Sequence, residues 1–288
     1  MPELPEVETI KLGLQKKIIG LKIKEIEIIS PKSFIGNAKL VKGKKVLNIW
    51  RKAKILGVEL DGSVILFHLK MTGQLIFDPS TSLRASKRLI GGHPTQDMVG
   101  PLPNKSTRVI LQFSDGSKMY FNDQRRFGWI KVVESSKLKV QSFLKNLGPE
   151  PLEERFSWQI LKQNLLKHKS QPVKVTLMDQ KLISGVGNIY ANEACFNAKL
   201  DPRKKVSSLS DEEFRTLHRG VVKALRDGIK YGGSTRAHFV DSEGHKGYFL
   251  DYAYVYWKNS HPCKICGTEI KKVQLGGRGT YFCPNCQA

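Results

Sequence analysis

The chain has 288 residues, 40% of them apolar, enough to bury real cores, which excludes global disorder. Lysine and arginine number 48 against 26 acids, a net charge of +22, so the expected partner is a polyanion, with nucleic acid ahead of an anionic membrane surface. No apolar run reaches the ~18 residues of a membrane span, and the acidic opening lacks an apolar signal-peptide core; both point to an intracellular protein, where cysteines serve as metal ligands or free thiols.

The opening MPELPEVETI places acids and prolines at the tip of a basic chain. Val7, Ile10, Leu14 and Ile18 recur at helical spacing, which predicts a helix from Pro5 to Ile19 with Gly20 as its stop. Glu6 and Glu8 suit its positive end. The terminus also has a chemical reading. Methionine before proline favours removal of the initiator, which exposes the secondary amine of Pro2. An α-amine titrates near 7.7–8, so it is a nucleophile close to neutral pH without deep burial. Attack on a sugar C1′ gives a Schiff base, and Glu3 sits beside it to move protons. Composition alone favours the plainer reading of helix-start chemistry.

From Leu21 to about Val133 the signals are strands. ILGVEL-DG-SVILFHL and RVILQF-SDGS-KMYF read as hairpins around Asp61-Gly62 and Asp115-Gly116. Short strands behind one helix predict a β-sandwich or barrel. Residues 79–105 hold four prolines and three glycines with little periodicity, and read as a long surface loop. LGPEPLEERF at 147–156 reads as a linker. Helices follow. The clearest starts at Ser210, where SDEE makes a capping box with Glu213. Its buried stripe is Phe214, Leu217, Val221, Leu225 and Ile229, and Gly232-Gly233 end the region.

The tail from about His245 differs again. Cys263-x2-Cys266 and Cys283-x2-Cys286, sixteen residues apart, have the spacing of one tetrahedral zinc site. EIKKVQL and TYF read as strands joined at GGRG, so the tail is a zinc-clamped β-hairpin. Four thiolates leave no open position for water, so the single zinc ion is structural. It fixes a tip carrying Arg278 between glycines, which reads either as a generic basic turn or, favoured by charge and tip placement, as a phosphate contact. Cys195 has no partner in sequence and reads as a core thiol.

PELPEVE together with the four-cysteine tail resembles the formamidopyrimidine-DNA glycosylase family, and ordered blocks carry the likeness from Pro2 to Cys286. They are RKAK at 51–54, HLKMTGQL at 68–75, DQRRFGW at 123–129, LGPEPL at 147–152, LMDQKLISGVGNIYANE at 177–193 and GRGTYFCPNC at 277–286. The resemblance implies a multidomain α+β fold. A β-sandwich with a leading helix spans 1–134, a linker 135–152, a helix-two-turns-helix domain with a lesion-capping loop 153–244, and a zinc finger 245–288. It implies a bifunctional DNA glycosylase and AP lyase of base excision repair, monomeric and cytoplasmic, associated with the bacterial nucleoid. Its substrates would be 8-oxoguanine and formamidopyrimidines in double-stranded DNA, cut by β,δ-elimination.

By match, Pro2 is the Schiff-base nucleophile, Glu3 the proton donor, Lys54 a proton-transfer and phosphate residue, and Arg278 the residue of the second elimination. Asn188 and Lys169 contact DNA, and Glu6 and Glu193 order the site. Met71, Arg125 and Phe127 fill the vacancy left by a flipped nucleotide. Without the likeness, Met71 and Phe127 read as core and Arg125-Arg126 as a solvated basic pair. The segment 232–249 matches the loop covering the flipped base. Ser106, Gln124 and Lys70 depart from the family pattern, which puts lesion preference in doubt more than chemistry; no DNA contact is expected at Ser106. Rival readings are an endonuclease VIII-like glycosylase for oxidised pyrimidines and a catalytically silent zinc protein that binds nucleic acid.

Overall fold

The computed structural model describes residues 1–79, 88–92, 100–140, 142–234 and 248–287. The chain forms two compact units, residues 1–145 with 231–248, and residues 146–230 with 249–288.

The first unit opens with α1 (Leu4–Ile18), one residue off the span read from periodicity. The strands are β1 (Ile23–Ile28), β2 (Phe34–Ile35), β3 (Val46–Lys52), β4 (Ile55–Leu60), β5 (Ser63–His68), β6 (Gly73–Asp78), β7 (Leu89–Gly92), β8 (Thr107–Phe113), β9 (Lys118–Asp123) and β10 (Trp129–Glu134), followed by the short α2 (Ser142–Lys145). They make two five-stranded sheets, ordered β1-β8-β9-β6-β7 and β2-β10-β5-β4-β3. Both expected hairpins are present, with Leu60 paired to Ser63 and Gln112 to Lys118. One core joins the sheets to α1. Val7, Ile10, Leu14 and Ile18 pack with Phe67, Leu75, Leu111, Phe113, Phe121 and Ile130. The architecture is the expected β-sandwich with a leading helix.

The long loop read across 79–105 needs correction, because Leu89–Gly92 is a fully buried strand paired with β6. Its signal, Leu-Ile-Gly-Gly, is too short to show a period. The glycines serve packing. A Cβ on Gly91 would stand 2.2 Å from Ile10 Cγ1, so α1 lies directly on this edge strand.

The second unit is helical, with α3 (Trp158–Leu165), α4 (Val173–Leu177), α5 (Asn188–Asn197), α6 (Asp211–Lys230) and α7 (Phe249–Tyr252) ahead of a hairpin of β11 (Lys271–Leu275) and β12 (Arg278–Phe282). Residues of 147–156 are tied to this unit: Gly148 N–H donates to the Gln180 carbonyl at 2.8 Å, and Ser184 N–H donates to the Pro149 carbonyl at 3.0 Å. The capping box of α6 forms as expected, with Ser210 N–H donating to Glu213 at 2.8 Å and Glu213 N–H to Ser210 Oγ at 3.2 Å. The stripe differs at its end. Ile229 is half-buried, and Gly228 faces inward instead. A Cβ there would meet the Tyr190 ring at 2.4 Å, and one on Gly220 the Ala194 carbonyl at 2.5 Å, so both glycines let α6 seat against α5.

No helix among the described residues is long and apolar enough to cross a membrane.

Candidate active site

The first unit gathers Pro2, Glu3, Glu6, Lys54, Met71, Arg125 and Phe127. Glu3 is the N-cap of α1, and the Glu6 carboxylate accepts from Glu3 N–H at 2.8 Å. A second oxygen of Glu6 accepts from Ser234 N–H at 2.9 Å, which anchors the start of the segment expected to cap the lesion. The rest of that segment, from 235 to 247, lies outside the described residues. Pro2, Glu3, Glu6 and Lys54 are all buried, a costly arrangement for three charges unless they compensate one another. Burial holds the Lys54 ammonium below its usual range, and the charges of Glu3 and Glu6 oppose that shift.

The turn carrying Lys54 is held from α1. Arg51 Nε donates to Glu8 at 2.8 Å, and its guanidinium also donates to the Ala53 carbonyl at 3.1 Å. Arg51 and Lys11 hold the Glu8 carboxyl below its ordinary range against the opposing effect of burial. One arginine thus fixes the helix and the lysine turn in a common frame.

Two loops complete this side. Residues 69–72 join β5 to β6 and carry Met71, which is half-buried. Residues 124–128 join β9 to β10 and carry Arg125, which is exposed, and Phe127, 54% exposed. Phe127 is therefore not a core residue. The Arg125 guanidinium lies over its ring at 4.9 Å. Among the described residues six non-glycines have positive φ, and three of them, Ala53, Lys70 and Arg126, directly precede Lys54, Met71 and Phe127. Such conformations cost about 1–2 kcal/mol each and concentrate where a loop is held in a working shape. Ser106, one of the departures from the family pattern, is buried and its carbonyl accepts from Asp123 N–H at 2.8 Å. Gln124 is exposed.

Reading the sequence missed His68. Burial, aided by the charges of Lys70 and Lys54, pushes its imidazole down to about 3, so it is neutral at ordinary pH. Its Nδ1 accepts from Lys70 N–H at 3.1 Å, which puts the proton on Nε2. A histidine closing a strand two residues before a lysine is the signal that could have found it.

The second unit holds Lys169, Asn188, Glu193, Arg278 and the cysteines. Asn188 opens α5, whose positive dipole end favours an anion, and Lys169 is exposed on a turn. The Asn188 amide is fixed from both sides: Lys174 Nζ donates to Oδ1 at 2.5 Å, and Nδ2 donates to the Gly279 carbonyl at 3.3 Å. Arg278, adjacent to Gly279, is exposed. The hairpin tip is narrower than read, since only Gly276-Gly277 turn and Arg278 already pairs with Leu275. Lys174 was also missed. It is a fully buried lysine within the run VKVTL, a placement lysine takes only when paired.

Glu193 has a structural office. It is fully buried on α5, and its carboxylate accepts from the N–H groups of Tyr254, Val255 and Tyr256 at 2.8–3.0 Å. Burial raises its carboxyl while these three donors pull the other way. It thereby orders the chain entering the zinc module.

The four cysteine sulfurs lie within 4.8 Å of one another, with Cys263 and Cys286 at 3.9 Å and Cys266 and Cys283 at 3.4 Å. A tetrahedron with Zn–S bonds of about 2.3 Å has edges near 3.8 Å, so the set fits one structural zinc ion. Cys195 is buried and pushed up to about 12 by that burial, as a core thiol should be.

Three family models tile the chain: the formamidopyrimidine-DNA glycosylase N-terminal domain over 1–130, its H2TH domain over 147–240, and the zinc finger found in FPG and IleRS over 260–288. The formamidopyrimidine-DNA glycosylase of Pelotomaculum thermopropionicum is 36% identical over 100% of this chain and 99% of its own length. That of Streptococcus pneumoniae is 36% identical with the same coverage. A solved Lactococcus lactis FPG mutant in complex with Fapy-dG DNA superposes with a TM-score of 0.85 at 30% identity, over 99% of each chain. The MutM (FPG) protein of Thermus thermophilus gives 0.83 at 34% identity, over 99% of this chain and 98% of its own. A sandwich with a leading helix, a helix-two-turns-helix body and a four-cysteine zinc hairpin, all in one chain, place this protein in the formamidopyrimidine-DNA glycosylase family, the DNA glycosylases of base excision repair.

Proposed function

We propose that the protein excises oxidised purines from double-stranded DNA, with 8-oxoguanine opposite cytosine and formamidopyrimidines as substrates, and then cleaves the strand as an AP lyase. The observation that carries this reading is the buried start of α1, where Pro2 and Glu3 share a site with Glu6 and Lys54. Once Met1 is removed, the Pro2 nitrogen attacks C1′ of the damaged nucleoside. The glycosidic bond breaks, the base leaves, and an iminium joins Pro2 to the opened sugar. Glu3 supplies protons to the sugar and leaving group, and Lys54 assists proton transfer and holds phosphate. Loss of the 3′ and then the 5′ phosphate gives β- and δ-elimination, with Arg278 serving the second. Water releases the enzyme.

DNA is engaged from both units, by Asn188 and Lys169 on the helical side and by Met71, Arg125 and Phe127 on the other. Phe127 wedges the partner strand, Met71 plugs the vacancy, and Arg125 bonds the estranged cytosine. The zinc ion supplies rigidity to the hairpin bearing Arg278 and takes no chemical step. The domain division of 1–134, 153–244 and 245–288, with 135–152 between, assigns nucleophile, phosphate grip and hairpin to separate parts. The protein acts as a monomer at the nucleoid.

The test is incubation with an 8-oxoguanine:cytosine duplex in the presence of borohydride. A covalent protein–DNA adduct and, without borohydride, δ-elimination products are expected. Binding without scission would favour the silent zinc protein, and faster excision of oxidised pyrimidines on matched duplexes the endonuclease VIII-like reading.

A further inference from the structure

Asp123 ends β9 with its side chain fully buried. Its carboxylate is held by neutral donors. Oδ1 accepts a hydrogen bond from the Thr72 hydroxyl and another from Arg125 N–H at 3.2 Å. Oδ2 accepts from Gly128 N–H at 2.6 Å. Thr72 Oγ1 in turn accepts from the same Arg125 N–H at 3.0 Å. The backbone of Asp123 is pinned as well, its carbonyl by Arg108 Nε at 2.8 Å and its N–H by the Ser106 carbonyl at 2.8 Å. One buried carboxylate therefore joins two loops that are distant in sequence, 69–72 and 124–128.

An ordinary turn needs one such bond. Here the donors are divided between the loop carrying Met71, which supplies the Thr72 hydroxyl, and the loop carrying Arg125 and Phe127, which supplies the N–H groups of Arg125 and Gly128. Each of these loops contains a left-handed non-glycine residue, Lys70 with φ 49° and Arg126 with φ 57°. Those conformations persist only where neighbours over-determine them. Gly128 closes the device, since a Cβ there would stand 3.0 Å from Asp123 Oδ2 and 2.9 Å from Phe121 Cζ.

We propose that Asp123, relayed through Thr72, is a positioning residue that locks the plug and the wedge into one preformed unit, so that base extrusion and reading of the opposite base occur together. This rests on the function proposed above. Asp123 touches no reacting atom; it sets where Met71, Arg125 and Phe127 stand.

The experiment uses the full-length, zinc-loaded protein and the variants Asp123→Asn, Thr72→Val and Thr72→Ser. An asparagine offers one acceptor oxygen and turns an amide N–H toward groups that donate. Valine removes the hydroxyl relay, and serine keeps it. The probe is an 8-oxoguanine duplex with 2-aminopurine beside the lesion, paired opposite cytosine or adenine. Three quantities are read: fluorescence rise on binding, single-turnover excision, and cleavage of a preformed abasic site. Asp123→Asn and Thr72→Val are expected to suppress the fluorescence rise, to slow excision roughly 10- to 100-fold, and to narrow the cytosine-over-adenine preference. Abasic-site cleavage falls by no more than about threefold, because no base needs extrusion. Thr72→Ser restores all three. Should Asp123→Asn not fold, the valine and serine pair decides alone. Wild-type fluorescence and opposite-base preference in the valine variant overturn the proposal, as does an equal loss of excision and abasic cleavage. A wild-type protein that forms no borohydride adduct at all overturns the underlying function instead.

Discussion

The two ends of the chain solve the same problem, holding a reactive or binding group rigidly, with opposite means. The start of α1 is set on a broad apolar core that runs through both sheets. Its charged groups are fixed by hydrogen bonds and mutual compensation: Glu6 to the backbone at Glu3 and Ser234, and Arg51 between Glu8 and Ala53. The tail has almost no core of its own. Its buried cluster comprises Phe196, Val255, Cys263, Ile270, Tyr281 and Cys283, and two of these are metal ligands while Phe196 belongs to α5. Geometry at the front is thus a property of packing, and at the back a property of zinc and of a few side chains on α5. Loss of function at one end is therefore expected without unfolding of the other.

Breaking the front alone should give the largest chemical effect. Glu3→Gln keeps the side-chain volume and removes the proposed proton donor, so excision should fall about 10²- to 10⁴-fold in single-turnover assays while duplex affinity holds. An affinity loss of the same size would show that Glu3 acts only as the cap of α1. At the back, chelation of zinc should abolish duplex binding and melt the hairpin. The β-sandwich should remain, as read by far-UV circular dichroism and a retained thermal transition. Binding that persists in metal-free protein would remove the hairpin from the interface.

The comparison sharpens with Glu193. Replacing it by alanine strands one buried and two partly buried N–H groups, a loss of about 2–5 kcal/mol that should appear in the helical and zinc unit and leave the sandwich transition unmoved. The smallest effect at any one neutral pH is a slope at the front that appears only on acidification. His68 titrates near 3 in the folded chain and near 6.5 unfolded. Below 6.5 the unfolded state gains a proton that the folded state refuses, so stability falls as pH drops from about 6.5 toward 3. His68→Asn should remove up to one proton, about 1.4 kcal/mol per pH unit, from that slope in acid-unfolding titrations. An unchanged slope would mean that the imidazole is solvated.

Local chemistry made much of this legible. Asp61-Gly62 and Asp115-Gly116 announce hairpins because few other pairs fit those turns. Ser210 and Glu213 announce a helix start, and the two Cys-x2-Cys pairs a metal. Pro2, Glu3 and Arg278 suggest their chemistry by residue type and position, although composition alone favours helix-start chemistry for the first two; Lys54, Met71, Arg125, Phe127, Lys169 and Asn188 are named only by likeness to a family. What stayed hidden depends on contacts between distant segments. β7 is four residues within a proline-rich stretch, and it is buried through distant segments: β6 beside it, α1 on Gly91, and Ile76, Ile110 and Tyr120 around Ile90. Lys174 looks like any basic residue until Asn188 is beside it. Asp123 reads as the end of a strand, and its bond to Thr72 spans 51 positions.

The most direct test is peptide mapping of the borohydride-trapped adduct by mass spectrometry. The account predicts one DNA remnant, attached to the nitrogen of Pro2 in a chain that has lost Met1. A remnant on Lys54 or any other lysine, or full activity in protein that keeps Met1, would contradict it.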